Sequence, residues 1–114
     1  MDSCLFCKII AGDIPSKTIY ENDYVMAFDD IEPQAPVHVL IIPKKHISTI
    51  NDLDDSDKNL CGELFLVAQK IAEIKNIATS GFRCIMNTNS DGGQTIFHIH
   101  MHVLGGRKLN WPPG

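Results

Sequence analysis

The stretch Gln94-Thr95-Ile96-Phe97-His98-Ile99-His100-Met101-His102-Val103-Leu104 alternates three histidines with apolar residues. Strict alternation is the period of a β-strand, so it predicts a strand that carries His98, His100 and His102 with the three imidazole rings on one face. Same-face neighbours on a strand lie roughly 6.5–7 Å apart, and packing does not require three imidazoles in a row at that spacing. The pattern therefore indicates a site that is nucleophilic, metal-binding or both.

The composition is typical of a single globular domain. The chain has 114 residues, 44% of them hydrophobic, and a formal net charge of −4, so it can bury a core, and no basic block favours nucleic acid as a partner. No signal-peptide pattern and no apolar run of bilayer length is present, which predicts a cytoplasmic protein with no membrane partner. The four cysteines are then expected to be thiols or metal ligands rather than disulfides.

Outward from the histidine stretch, the pattern predicts five strands and two helices. Besides the histidine strand, which follows a loop over 89–95, strands are expected at residues 18–21, 24–28, 37–42 and 82–87, and the first two of these form a hairpin. A short helix capped by Ser3 and ended by Gly12 opens the chain, and a long helix over 52–78 packs across one face of the sheet. This order predicts a small α+β domain with a mainly antiparallel sheet.

Several features outside the histidine stretch indicate chemistry, and each also has an ordinary structural interpretation. Cys4 and Cys7 form a C-x-x-C, a weak signal for zinc or redox chemistry that equally fits two small buried side chains. Gly92-Gly93 lies in a polar loop over 89–95 that can present backbone N–H groups to an anion. Asp30 follows the second strand, where turn formers are common, and His38 lies in an otherwise apolar strand.

The run from His98 to Leu104 matches the signature of the histidine triad superfamily, His-φ-His-φ-His-φ-φ with φ apolar. Further matches to its Hint branch, the histidine triad nucleotide-binding proteins, are Phe28-Asp29-Asp30-Ile31, Pro36-Val37-His38, Ile42-Pro43-Lys44-Lys45-His46-Ile47-Ser48, Asp91-Gly92-Gly93-Gln94-Thr95 and Trp111-Pro112-Pro113-Gly114. The chain resembles this branch over essentially its whole length, which implies one domain over residues 1–114.

The resemblance implies a fold and an activity. It implies a five-stranded antiparallel sheet with one long and one short helix, in a two-fold homodimer that joins the sheets into one of ten strands. Hint-like proteins bind purine nucleotides and hydrolyse nucleoside phosphoramidates, such as AMP linked to an amine, through a covalent nucleotidyl-histidine. Imidazole is neutral near pH 7 and nucleophilic, as such a step requires. No Mg²⁺ and no organic cofactor is expected.

The resemblance also implies roles for individual residues. The nucleophile is expected to be His100, with His98, His102 and His38 completing the catalytic histidines, and with Thr95 or His102 donating a proton to the leaving amine. The nucleotide-binding residues are expected to be Phe6, Phe28, Asp30, Ile31, Asn87, Gly93, Gln94, Thr95, His100, His102 and Trp111, with the backbone N–H groups of Gly93 and Gln94 facing the phosphate and Trp111 acting in the partner's pocket.

Zinc is expected on the same grounds. Animal Hint proteins lack the C-x-x-C, but many other members carry it and bind zinc. Here the ligands would be Cys4, Cys7, His46 and His98, and such a closed Cys₂His₂ shell is typical of structural zinc.

Three alternatives remain open at this stage. The alternating histidines can hold a catalytic zinc that activates water. A dinucleoside polyphosphate hydrolase of the same superfamily would use the same nucleophile. A non-catalytic nucleotide-binding or scaffold protein would keep the fold without the reaction.

Overall fold

The computed structural model describes residues 3–114. Its five strands are β1 (Thr18–Glu21), β2 (Val25–Asp29), β3 (Val37–Pro43), β4 (Phe82–Ile85) and β5 (Met101–Gly105). They form one sheet in the order β1-β2-β3-β5-β4, and every neighbouring pair is antiparallel. The predicted antiparallel five-stranded sheet and its opening hairpin are therefore confirmed.

The short helix α1 (Leu5–Ile10) is capped one residue later than predicted. Its N-cap is Cys4, whose Sγ accepts a hydrogen bond from the backbone N–H of Cys7 at 3.4 Å, and Ser3 takes no part. Gly12 lies just beyond the helix end with φ of +83°, a conformation that glycine adopts without strain. The cap places Cys4 and Cys7 side by side at one end of α1.

The long helix α2 (Lys58–Ile74) is shorter than the predicted 52–78 at both ends. Residues 50–57 form two separate 3₁₀ turns, and each is closed by its own capping box, Thr49 with Asp52 and Asp54 with Asp57. These side chains bond backbone N–H groups that a continuous helix would use internally, so the helix begins only after them.

The polar loop expected over 89–95 contains one helical turn, α3 (Asn89–Gly92). Gly93 ends the turn in the left-handed conformation, with φ of +84°. This third helix is absent from the two-helix prediction because four residues are too few to show a helical period.

The histidine strand begins only at Met101, so His98 and His100 precede it, whereas all three histidines were predicted to lie in the strand. The last pair of the β3–β5 ladder is Ile41 with Met101, and continuing that register would place Ile99 opposite Pro43. Proline has no N–H to donate, so the ladder ends there. The backbone N–H of Ile99 donates instead to the carbonyl of Ile47 at 2.7 Å. His98 and His100 therefore lie in a segment held by other contacts.

The two faces of the sheet bury two separate apolar clusters. The first lies under α2 and includes Val39, Ile41, Met101 and Val103. The second lies under α1 and includes Phe6, Met26, Phe28, Leu40 and Ile42. Because side chains alternate along a strand, His38 and His102 share the α1 face with Leu40. The candidate site is therefore built on the face that α1 covers.

Among residues 3–114, no helix is both long and apolar enough to cross a bilayer. The expectation of no membrane partner is tested here only for helices that could span a bilayer.

Candidate active site

A cavity of about 620 Å³ opens on the α1 face of the sheet, a volume typical of small-molecule sites. Its apolar wall includes Leu5, Phe6, Ile9, Phe28, Leu40 and Ile96. The residues predicted for catalysis or nucleotide binding that line it are Phe6, Phe28, Asp30, Ile31, His38, Gly93, Thr95, His100 and His102. Residues from both halves of the chain thus meet in one cleft.

His100 is buried and held in one tautomer. Its Nδ1 lies 2.9 Å from the carbonyl oxygen of His98, and since a carbonyl oxygen only accepts, Nδ1 carries the proton. The Nε2 atom then keeps its lone pair. Burial lowers the pKa of His100, so the ring is neutral near pH 7. A neutral, oriented imidazole with a free nitrogen in a cavity can attack an electrophile.

His38 and His102 form a hydrogen-bonded pair with a defined direction. The backbone N–H of Gln34 donates to Nδ1 of His38 at 3.0 Å, so the proton of neutral His38 is on Nε2. That Nε2 lies 2.8 Å from Nδ1 of His102 and 3.4 Å from Oδ2 of Asp30. Nδ1 of His102 therefore accepts, and its own proton is on Nε2, which makes His102 a hydrogen-bond donor.

Both rings of this pair are neutral near pH 7. Burial is the main cause that lowers the pKa of His38, against the opposing charge of Asp30. For His102, burial, together with His100 and His38, lowers the pKa to about 4. A neutral hydrogen-bond donor, His102, thus stands beside His100, and the two rings are centred 5.0 Å apart.

His98 belongs to a different cluster and does not line the cavity. Its Nε2 donates to the carbonyl of Pro43 at 2.7 Å, so Nδ1 is free. That atom lies 3.1 Å from Nδ1 of His46, 3.5 Å from Sγ of Cys4 and 3.7 Å from Sγ of Cys7. The structure brings together all four residues predicted to bind zinc.

The donor set and spacing of this cluster fit a tetrahedral metal. Zn–N and Zn–S bonds of the usual lengths give donor–donor edges of about 3.3–3.8 Å, and Sγ of Cys7 lies 3.3 Å from Nδ1 of His46. The fully buried His98 is oriented for ligation because its Nε2 is already bonded. The four residues can therefore hold a metal ion.

The loop before the histidines uses its backbone donors internally. The N–H of Gly93 donates to Ser90 and that of Gln94 to Asn89, each at 3.0 Å. This differs from the expectation that both groups face the phosphate, because α3 takes them as its own end. Gly93 and Thr95 still line the cavity, whereas the Gln94 side chain is buried and points elsewhere.

Two more predicted residues lie away from this cavity. Asn87 follows β4, is half-buried and does not line the cleft. Trp111 is 80% exposed, and its ring packs 5.8 Å from the guanidinium carbon of Arg83. Within the described part of the chain, neither residue contributes to the cleft, so their roles in nucleotide binding stay predictions.

Sequence reasoning missed the residues that orient the histidines through backbone atoms. The N–H of Gln34 sets the tautomer of His38, and the carbonyls of Pro43 and His98 set those of His98 and His100. A backbone atom carries no residue-type signal, so no pattern could identify these. Leu40 could have been placed on the site's face from the alternation of β3.

Comparison with known proteins assigns the chain to a family. The model of the HIT domain matches residues 11–109, and the chain belongs to the HIT domain family. The matched range leaves out Cys4, Phe6, Cys7 and Trp111.

Individual relatives are similar over nearly the whole chain. A purine nucleoside phosphoramidase of Escherichia coli (strain K12) is 52% identical over 108 residues, which is 95% of this chain and 91% of that protein. The crystal structure of a HIT family hydrolase from Legionella pneumophila Philadelphia 1 superposes with a TM-score of 0.96 at 51% identity, covering 98% of this chain and 100% of that one. A histidine triad protein from Clostridium difficile gives 0.92 at 46%, covering 96% and 95%.

Proposed function

We propose that this protein is a purine nucleoside phosphoramidate hydrolase that acts through a covalent nucleotidyl-histidine at His100. The observation that carries the proposal is the tautomer of His100, whose Nδ1–H is fixed by the carbonyl of His98 while Nε2 stays free. The name of the E. coli relative, a purine nucleoside phosphoramidase at 52% identity, supports this choice of substrate.

The reaction proceeds in two displacements at phosphorus. Nε2 of His100 forms a bond to the α-phosphorus as the P–N bond breaks, and the amine leaves with an added proton. Water then attacks the same phosphorus and loses a proton to solvent as the P–His bond breaks. The nucleoside monophosphate is released and the free imidazole of His100 is regenerated. Since burial lowers the pKa of His100, no prior deprotonation is needed.

His102 and Thr95 take different parts in this scheme. His102 presents Nε2–H as a fixed donor, and such donors stabilise charge on the phosphoryl oxygens. A neutral imidazole does not readily surrender its remaining proton, and the pKa of His102 at about 4 keeps it neutral. The Thr95 hydroxyl, which lines the same cavity, is therefore the group that relays a proton from solvent to the leaving amine.

The nucleoside is held at the apolar end of the cleft. Phe6 and Phe28 pack edge to face with ring centroids 5.7 Å apart, and Ile31 is 94% exposed beside them in the cavity wall. These side chains suit a purine ring, and the Asp30 carboxylate between them and the histidines suits the ribose hydroxyls. The N–H of Glu32 donates to Oδ1 of Asp30 at 2.8 Å and orients that carboxylate.

A structural zinc completes the proposal, held by the cluster of Cys4, Cys7, His46 and His98. A closed four-ligand shell supplies folding free energy and no step of the reaction. Thiol ligands need a reducing compartment, which agrees with a cytoplasmic location.

The protein is further proposed to be a homodimer. Among residues 3–114, strand β4 has a neighbour on one side only, so its other edge can pair with a second copy in a ten-stranded sheet. Phe65 and Leu66 on α2 and Phe82 on β4 are exposed apolar side chains that such pairing would cover. The tail with Trp111 would then reach the leaving-group side of the partner's cleft.

The rival catalytic metal centre on the alternating histidines is disfavoured because, among the described residues, His98, His100 and His102 do not bring three donor atoms together. The hydrogen-bond direction also disfavours a metal on a neighbouring set beside the cleft. Asp30, His38 and His102 offer donor atoms within 4.8 Å of one another. However, a metal on Nε2 of His38 would move that ring's proton to Nδ1, which already accepts from the N–H of Gln34. Two donors would then face each other, so the pair is better suited to hydrogen bonding than to ligation.

The test is turnover of adenosine 5′-phosphoramidates and of diadenosine polyphosphates. Wild-type protein should cleave the phosphoramidates with the higher kcat/KM, and His100→Ala should bind AMP but lose at least about 10³-fold in kcat. A chelator that leaves the fold intact should leave kcat, measured at saturating substrate, in place. Normal turnover by folded His100→Ala, or immediate loss with chelator, would rule the scheme out.

A further inference from the structure

The segment 46–48 is joined to the catalytic segment at three consecutive residues. Nδ1 of His46 lies 3.1 Å from that of His98 in the metal cluster. The carbonyl of Ile47 accepts from the N–H of Ile99 at 2.7 Å. The carbonyl of Ser48 accepts from Nε2 of Gln94, also at 2.7 Å. The metal cluster, formed by Cys4, Cys7, His46 and His98, is thus connected to the loop beside the cleft through the short segment 46–48 and its hydrogen bonds.

Gln94 is the point at which this connection reaches the loop over 89–96. Its residue exposure is only 6%. Nε2 donates to Ser48 and, at 3.1 Å, to Ile96, while Oε1 accepts from the N–H of Asn89 at 3.0 Å. Both amide hydrogens and the amide oxygen are therefore used, and a buried network of this kind rigidifies what it connects.

Thr95 stands between the two sites. It lines the large cleft with His100, and it also lines a second cavity of about 380 Å³ that includes Cys4, His46 and Ser48. The loop that presents Thr95 to the nucleotide is therefore the same loop that abuts the metal cluster.

From this geometry we infer that Gln94 is a positioning residue that couples occupancy of the Cys4, Cys7, His46 and His98 cluster to nucleotide binding. The inference rests on the proposed nucleotide and metal sites. A metal on the cluster restrains His46 and with it the Ser48 carbonyl. Gln94 passes this restraint to residues 89–96, so Gly93 and Thr95 are already placed when the nucleotide arrives. Coupling between two sites is reciprocal, so bound nucleotide must tighten metal binding by the same factor.

The first experiment measures AMP affinity by calorimetry and Zn²⁺ affinity by competition with a chelating dye, on intact protein. In the wild type, stripping Zn²⁺ should weaken AMP binding about tenfold, and AMP should tighten Zn²⁺ binding by an equal factor. In Gln94→Met both couplings should fall to less than about twofold while Zn²⁺ still binds. The matched control is Gln69→Met, the same change on the exposed face of α2, which should keep the wild-type coupling.

A second readout needs no nucleotide. Hydrogen exchange of the amides in residues 89–96 should slow when Zn²⁺ is added to wild type and to Gln69→Met, and should not respond in Gln94→Met. Should Gln94→Met fail to fold, Gln94→Glu replaces it, since a carboxylate still accepts from the N–H of Asn89 but has no hydrogen for Ser48.

The outcomes separate the coupling from the function on which it rests. If AMP does not bind, the proposed function fails. A Zn²⁺-dependent change in exchange that Gln94→Met abolishes would then still support the connection through Gln94 from the metal cluster to residues 89–96. Absence of Zn²⁺ binding, unchanged exchange in the wild type, or full coupling in Gln94→Met would each overturn the inference.

Discussion

At the scale of single residues, the chemistry depends on which ring nitrogen carries a proton. The N–H of Gln34 donates to His38 and His38 donates to His102, which leaves the proton of His102 on Nε2. His100 instead donates from Nδ1 to the His98 carbonyl, which leaves its Nε2 without a proton. His102 thereby presents an N–H and His100 a free ring nitrogen, as the proposed donor and nucleophile require, although both are imidazoles on the same face. Residue type alone does not distinguish them.

Loss of the donor at position 38 should therefore impair catalysis more than binding. His38→Leu leaves Nδ1 of His102 without its partner, so the Nε2–H tautomer is no longer enforced, and kcat should fall about 10²-fold with little change in AMP affinity. His38→Gln keeps an N–H donor and should retain more of the rate. Equal rates in the two variants, measured at saturating substrate, would show that tautomer control is not the reason for His38.

The half-buried, neutral His102 should also make stability depend on pH. It is packed against His100 and His38, with Asp30 nearby. Its pKa of about 4 is below the unfolded value near 6.5, so the unfolded chain binds more protons between these values. Stability should then fall as pH drops from about 6.5 to about 4.

His102→Gln removes this titration, so urea midpoints at pH 7 and 4.5, both with Zn²⁺, should differ less in the variant than in the wild type. An identical pH dependence in the two proteins would contradict the assignment of a neutral His102 ring in the folded protein.

At the scale of elements, the ends of helices and strands decide where the chemical groups meet. Cys4 is both the N-cap of α1 and a member of the cluster with Cys7, His46 and His98. The first turn of the helix therefore sets the positions of both cysteines of the C-x-x-C. Pro43 stops the β3–β5 ladder, which leaves His98 and His100 outside the strand. Periodicity predicted that the three histidines lie together, but it does not encode where a ladder ends.

If the cluster holds zinc, removing one ligand should lower stability. Cys7→Ser should hold much less than one zinc per chain, and its melting temperature should be lower than that of the zinc-loaded wild type by about 5–10 °C. Cys61→Ser is the matched control, because Cys61 is half-buried on α2 and is not part of the cluster. Wild-type zinc content or melting temperature in Cys7→Ser would argue against the metal.

At the scale of the whole molecule, the five strands and their mainly antiparallel sheet could be predicted because each strand has a clear alternation or apolar run bounded by turn residues, whereas the strand order could not. The helix ends could not, since side chains of Thr49, Asp52, Asp54 and Asp57 compete with the helix for its N–H groups. The C-x-x-C, the histidines and Asp30 were identified from their residue types. Backbone partners such as Gln34 and Pro43 were not, because any residue can supply them.

The position of Trp111 leads to a prediction for the assembly. Its side chain is exposed and lies outside the cleft of its own subunit, so the proposed contact with substrate would require the cleft of a second copy. Deleting residues 111–114 should leave the sedimenting dimer intact and change the relative kcat/KM among phosphoramidates with different leaving amines. Deleting 112–114, which keeps Trp111, is the control. Equal effects of both deletions on every substrate would remove the role of the indole.

The proposed mechanism depends on a covalent bond between His100 and the nucleotide. The most direct measurement mixes enzyme with excess adenosine phosphoramidate, quenches within milliseconds under conditions that preserve a phosphorus–nitrogen bond, and determines intact mass and modified peptide. The nucleotidyl-histidine mechanism predicts an added nucleotidyl group on the peptide that contains His100, present in wild type and absent in His100→Ala. Steady turnover with no adduct at any quench time, or an adduct on another residue, would contradict it.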